Sequence, residues 1–386
     1  MQEVFFIRSF RSGVGRLMGS WASVRADDML AMALRQMREF YPFLDEIVEA
    51  LYVGDSNQVG EDSRNVARQA ALLADLPATT IGLTFNSLCL SGIDALLAAV
   101  RAVQTGEMDA ILVAAVENMS RSPWAEHRLT GEKADTLIGW RFNNPLFPYP
   151  TLSMVETAEL MAQKYSISRS QQDDYAALSR QRYEQGKNSG YFDTEILPFR
   201  LPNGQIMDKD EQHRLMDRAS LGKFAPILAK GEYNTLCNSA RAGDGVILML
   251  ICNKKTVENF ALQPIAKYNL AATAAVNPSE MSFAGIAAYQ KLIKKGFSLP
   301  QIDIIEQSES FALQPLLHAQ QLGWDLAKIN PCGGAISIGN PTSVGNLRLV
   351  GAILNHFQQQ NALKYGLGAA SAGLGLGAAI LLENLL

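Results

Sequence analysis

The chain has 386 residues, 48% of them apolar and 19% charged, with a formal net charge of -4. That length allows two or more domains with a large buried core, and a weakly acidic chain with scattered Lys and Arg offers no basic field for nucleic acid. Four cysteines, Cys89, Cys237, Cys252 and Cys332, stand far apart with no C-x-x-C pair or His-containing metal pattern, which favours free thiols in a reducing, cytoplasmic setting.

The N-terminus, Met1 to Arg8, has a short apolar run ended by charges, too short for a signal peptide and natural as a first strand. A glycine loop to Gly15 and a helix from Ala26 to Arg38 follow. Ala50 to Gly54 reads as a strand, Ser63 to Ala74 as a helix and Thr80 to Phe85 as a strand. At Asn86-Ser-Leu-Cys89-Leu-Ser-Gly92 a loop becomes a helix that is apolar on nearly every face, with Arg101 its only charge between Leu96 and Val103. Cys89 is expected in the first turn of that helix, where unpaired N–H groups and the helix dipole favour thiolate. That marks it as a candidate nucleophile; a buried cysteine acting as a small hydrophobe is the alternative. Ala110 to Val116 is a strand apolar on both faces, and strands alternating with helices imply a parallel sheet covered on both sides.

From about residue 119 to 244 the texture changes to more prolines, more charge and less strand pattern, as in an inserted loop region. Its helices are expected at Met154 to Lys164 and, after a capped start near Ser168, through Ser179 to Gln185. Gly245 to Cys252 restores the buried-strand pattern, so the insertion falls between the last two strands of the first sheet. The alternation then resumes with helices at Ala284 to Lys295, Ser310 to Leu322 and Ser343 to Gln358, a strand at Ile302 to Glu306, and a glycine-rich closing run from Tyr365 to Leu382. No segment reads as long and uncharged enough to span a bilayer.

Asn86 to Gly92, Val116 to Ser120, Thr157 to Asp173, Gly243-Asp-Gly245, Ser308-Glu-Ser-Phe311, Gly333 to Pro341 and Ser371 to Gly377 together resemble the thiolase family in order and spacing, nearly end to end. These are CoA-dependent enzymes that cleave or form 3-ketoacyl-CoA. The resemblance implies an α/β fold of two similar αβα halves, forming a five-layer αβαβα core, plus an inserted loop domain that holds CoA. The halves would be 1–118 with 245–264 and 265–386, the insertion 119–244. It also implies a homodimer or homotetramer, acyl-CoA or 3-ketoacyl-CoA as substrate, and no bound cofactor. The N-terminal third resembles the degradative branch, linked to fatty-acid breakdown.

By family mechanism a cysteine takes the acyl group, a histidine in a G-H-P motif takes the thiol proton, and a second cysteine handles the proton of acetyl-CoA. Cys89 matches the first cysteine, but Asn340 stands at the histidine, Ser371 at the second cysteine and Ser308 at the asparagine of the N-E-A-F motif. An amide cannot accept a proton at physiological pH, and loss of a positioned base removes ~10²–10⁴-fold in rate. The backbone N–H groups of Cys89 and Gly373 match an oxyanion hole that needs no side chain. For CoA, Arg214 matches a nucleotide-contacting arginine, and Met154 and Phe311 match residues of the pantetheine channel. Ala240 replaces a pantetheine-binding serine, and Arg241 stands where glycine is usual. Cys332 and the histidines His127, His213, His318 and His356 read as structural or surface residues. Two functions follow: an acyltransferase working through acyl-Cys89 with impaired turnover, or a non-catalytic acyl-CoA-binding subunit, including one within a multienzyme complex.

Overall fold

The alternation of strand and helix is realised, in a sheet of mixed rather than parallel direction. The computed structural model describes residues 1–123, 147–294 and 302–386; His127 and Lys295 lie outside them. The strands of the main sheet are β1 (Val4–Arg11), β2 (Gly15–Arg16), β3 (Ala50–Gly54), β4 (Ile81–Phe85), β5 (Ala110–Asn118), β6 (Gly243–Asn253), β7 (Ala266–Ala275), β8 (Ile304–Gln307), β9 (Tyr365–Ala372) and β10 (Leu376–Asn384). They are hydrogen-bonded in the order β8-β9-β10-β7-β1-β6-β5-β3-β4, with β2 on β6. β3 pairs parallel with both β4 and β5, and β8 with β9. The insertion returns the chain so that β6 runs antiparallel to β5, and a tight turn at Gly373–Gly375 makes β9 and β10 antiparallel. The two halves join through a short ladder, Phe5↔Lys267 and Phe6↔Ala266.

The longer helices are α1 (Ala26–Phe40), α2 (Val66–Leu73), α3 (Ser91–Thr105), α4 (Met154–Lys164), α5 (Arg169–Asn188), α6 (Ala284–Lys294), α7 (Leu313–Leu322) and α8 (Thr342–Gln359). Three apolar clusters define the layers. One packs α1 and α2 on the outer face of the first half-sheet. A second buries α3 and α8 between the half-sheets. The third packs α6 on the outer face of the second half-sheet. This is the expected five-layer αβαβα arrangement.

Leu88–Thr105 is long and apolar enough by composition to cross a membrane, contrary to the reading from sequence. Its Leu96, Leu97, Val100 and Val103 are spent in the central layer instead. At Gly92 the helix crosses α8 so closely that a Cβ would lie 2.8 Å from the Ser343 carbonyl oxygen and 2.8 Å from Leu347 Cβ.

In the insertion, Ser153 with Glu156 and Ser168 with Gln171 form the capping boxes that start α4 and α5. Fully buried Arg11 of β1 ties this region to the core. Its guanidinium donates to Asp210 Oδ1 at 2.6 Å and Oδ2 at 3.0 Å, and to Glu195, while Asp210 also accepts from Val14 N–H and Tyr183 O–H. Removing the cation alone leaves two buried carboxylates uncompensated. Arg11→Ala is therefore expected to lower unfolding stability by about 3–5 kcal/mol in urea titration; a loss below about 1 kcal/mol contradicts this role.

Candidate active site

β3, β4 and β5 end on the same side of the sheet, and the loops beyond them build the site. Asn86 accepts from Leu88 N–H at 3.1 Å and donates through its amide to the Ser56 carbonyl at 3.1 Å. This pins a turn in which Leu88 takes a left-handed φ of 59°. The turn is closed by Ser91 Oγ, which accepts from Ser87 N–H at 3.1 Å and donates to the Leu88 carbonyl. Cys89 follows Leu88, two residues ahead of α3 rather than within its first turn.

The chemistry of the thiol differs from the expectation. Burial pushes the Cys89 thiol up to about 11, and the negative charge of Glu117 adds to that. The backbone N–H groups of Gly373 and of Cys89 itself hydrogen-bond the sulfur and pull the other way without prevailing. Cys89 is thus a protonated thiol at neutral pH. The two N–H groups expected as oxyanion donors do converge on its sulfur.

Cys89 opens into a largely apolar cavity of about 1090 Å³ that Asn340, Gly373, Met154, Phe311 and Ala240 also line. Asn340 N–H donates to the Arg241 carbonyl at 2.8 Å. Its side chain lies over Gly345, where a Cβ would sit 2.1 Å from Asn340 Oδ1, so glycine there makes room for it. Gly373 abuts Leu88 and Met154.

Ser371 and Ser308 are not among the residues lining the cavity. Ser371 is buried, with Oγ accepting from Gly285 N–H at 3.0 Å. Ser308 Oγ accepts from Ser371 N–H at 2.9 Å and donates to Asn346 Oδ1 at 2.7 Å. Asn346 then donates to the carbonyl of Cys89 at 2.9 Å and to that of Ser371 at 3.3 Å. These side chains brace the backbone behind the nucleophile. Asn346, in the first turns of α8, was missed in the sequence because no local pattern marks it.

Arg214 also stays off the cavity wall, its guanidinium donating to the carbonyls of His213 and Glu211. No histidine lines the cavity among the described residues. His318 is fully buried, bonded to the Ser282 carbonyl and held down to about 4 by burial. His356 contacts Glu306, and His213 contacts Glu184 and the ring of Tyr183. Cys332 is half-buried beside Gly186 and is likewise not among the lining residues.

Family models for the N-terminal and C-terminal thiolase domains match residues 4–255 and 262–384. The chain belongs to the thiolase family. It is 37% identical over 402 residues to a beta-ketoadipyl-CoA thiolase of Escherichia coli, covering 100% of both chains. Human mitochondrial 3-ketoacyl-CoA thiolase superposes with a TM-score of 0.91 at 27% identity, over 100% of this chain and 99% of that one. The same human enzyme in complex with CoA gives 0.89 at 27% identity, over 100% and 98%. Thiolases are acyltransferases that take CoA thioesters as substrates and need no cofactor.

The raised Cys89 thiol sets a pH dependence. Thiolate, the reactive form, grows as pH approaches about 11. Alkylation of Cys89 by iodoacetamide, followed by peptide mass spectrometry, should keep accelerating through pH 10. A plateau near pH 8 contradicts the protonated-thiol reading.

Proposed function

We propose that this thiolase accepts an acyl group from a CoA thioester onto Cys89 but lacks the proton abstraction on which the family's condensation step depends. The observation that carries the reading is the combination of backbone N–H donors at the Cys89 sulfur with an amide, Asn340, lining the same cavity. Donors of this kind stabilise the oxyanion of thioester attack without a side chain. Proton removal needs a base, and Asn340 cannot be one. CoA would enter past Met154 and Phe311, with the 119–244 insertion as its platform and Arg214 at the nucleotide.

A fatty acyl group follows from the resemblance of the N-terminal third, and the charges of the cavity favour one that ends in a carboxylate. Arg16 and Arg241 are the charged residues that line it among the described residues, and neither is ion-paired to a carboxylate. Arg241 donates to the Gln212 carbonyl, while partial burial and the neighbouring charge of Arg214 both disfavour its cation, and a substrate carboxylate would offset both. The relatives named for beta-ketoadipyl-CoA act on a group of this kind. A homodimer in the cytoplasm completes the reading; exposed Ile81 and Leu83 on edge strand β4 suit contact with a second copy.

Incubation with butyryl-CoA and succinyl-CoA, read by intact mass, should give an acyl adduct that disappears in Cys89→Ala. The succinyl adduct should form faster, and Arg241→Ala should remove that preference. Acetoacetyl-CoA thiolysis should be weak and rise about tenfold or more in Asn340→His. Absence of any adduct would point instead to a non-catalytic acyl-CoA-binding subunit, a reading that the joint change at Asn340, Ser371 and Ser308 supports.

A further inference from the structure

A CoA thioester reaches Cys89 by laying its pantetheine arm, a largely apolar chain interrupted by amides, along the cavity. The wall that receives the arm is largely apolar too, so an amide that leaves water there needs a hydrogen-bond partner. Several polar side chains of the wall are already engaged. Ser153 Oγ accepts from Glu156 N–H at 3.2 Å, and Thr157 Oγ1 donates to the Ser153 carbonyl at 3.0 Å. Ser279 Oγ donates to Asn277 Oδ1 at 2.8 Å, and the Gln212 amide donates to the Gly15 and Ala242 carbonyls at 3.3 Å and 2.8 Å. Ser239 differs. It is 6% exposed and lines the cavity, and among the described residues its Oγ is the one buried polar side-chain atom of the wall with no partner.

The backbone fixes where that hydroxyl sits. Ala240 N–H donates to the Ser310 carbonyl at 2.9 Å and Ala312 N–H to the Asn238 carbonyl at 2.9 Å, which makes Ser239 and Phe311 an antiparallel pair with no hydrogen bond between them. In such a pair the side chains stand beside each other on one face. Phe311 lines the cavity, so Ser239 flanks the same stretch of wall. Asn238 anchors the strand beside it: Oδ1 accepts from Thr235 N–H at 2.8 Å, and Nδ2 donates to Asp173 Oδ1 at 2.9 Å and to the Tyr233 carbonyl at 3.0 Å. Ala240, where the family carries a serine, offers only a methyl group. Buried hydroxyls as a rule have a partner, and one without a partner in the protein is free to take one from a ligand. A serine rotates between staggered positions about Cα–Cβ, so an amide lying along Phe311 comes within its reach.

We propose that Ser239 is a substrate-binding residue whose hydroxyl donates to an amide carbonyl of the pantetheine arm as the arm lies along Phe311. The free protein gains nothing from this hydroxyl, whereas the complex gains a hydrogen bond in a water-poor wall. The contact reads the arm and not the nucleotide or the acyl group. The inference rests on the reading that the thioester enters past Met154 and Phe311.

Calorimetric binding of CoA, and of 3′-phospho-ADP as the nucleotide half of CoA without the arm, to wild type and Ser239→Ala tests it. Ser239→Ala should weaken CoA binding roughly three- to tenfold, the effect of one neutral hydrogen bond, and leave 3′-phospho-ADP unchanged. Thermal unfolding of the free variant should stay level with wild type or rise, because the hydroxyl has no partner to lose. Ser239→Cys, close to serine in size but a weak donor, should bind CoA as Ser239→Ala does. Equal CoA affinity in wild type and both variants, equal weakening of both ligands, or a lower unfolding temperature of free Ser239→Ala overturns the proposal. The acyl-adduct experiment keeps the two readings apart. An adduct on Cys89 with unchanged CoA affinity in Ser239→Ala sinks this inference alone, and weakened CoA affinity without any adduct sinks the acyl transfer alone.

Discussion

The close crossing of α3 and α8 at Gly92 is the constraint on which the rest depends. With no side chain at that point, the backbone of one half touches that of the other, and Leu347 and the Ser343 carbonyl fill the space a Cβ would take. The contact fixes the Cys89 turn from the first half against Asn340, Asn346 and Gly373 from the second. Cys89, Asn340 and Gly373 lie beyond the ends of strands and helices and Asn346 on α8, and all are held by the most buried layer of the fold. Arg11 does the corresponding work for the insertion by joining β1 to Asp210 and Glu195.

The site that results is rich in backbone donors and poor in bases. The thiol sits at the wall of the cavity, and its burial there raises it more than its N–H partners lower it. Thioester attack and α-carbon deprotonation make different demands on such a site. The first can lean on the donors that already meet the sulfur, because the charge that develops is an oxyanion. The second needs a group that accepts a proton, and the polar side chains behind Cys89, Ser371, Ser308 and Asn346, are engaged with one another and with the backbone.

Much of this was legible in the sequence. The thiolase pattern, the helices at Met154 and Arg169, the long core helices and the convergence of Cys89, Asn340 and Gly373 follow from motifs with strong local signals. What was missed depends on distance in the fold. Cys89 looked like a residue of the helix's first turn because the run after it is apolar; the extra two residues come from the Leu88 turn, which nothing in residue type announces. The rise of its thiol reflects burial against α8 and the charge on β5, both remote in sequence. Ser371 and Ser308 match catalytic positions in order but turn to Gly285 N–H and Asn346, contacts that span 86 and 38 residues. Leu88–Thr105 has the composition of a membrane span, yet its faces are used by two half-sheets.

The central claim is that the site can take an acyl group yet cannot draw a proton from the carbon next to the thioester. Hydrogen–deuterium exchange at the methyl group of acetyl-CoA, followed by nuclear magnetic resonance in heavy water with the protein present, separates these abilities. Exchange at the protein-free rate while acyl-Cys89 accumulates is the predicted result; protein-catalysed exchange would contradict it.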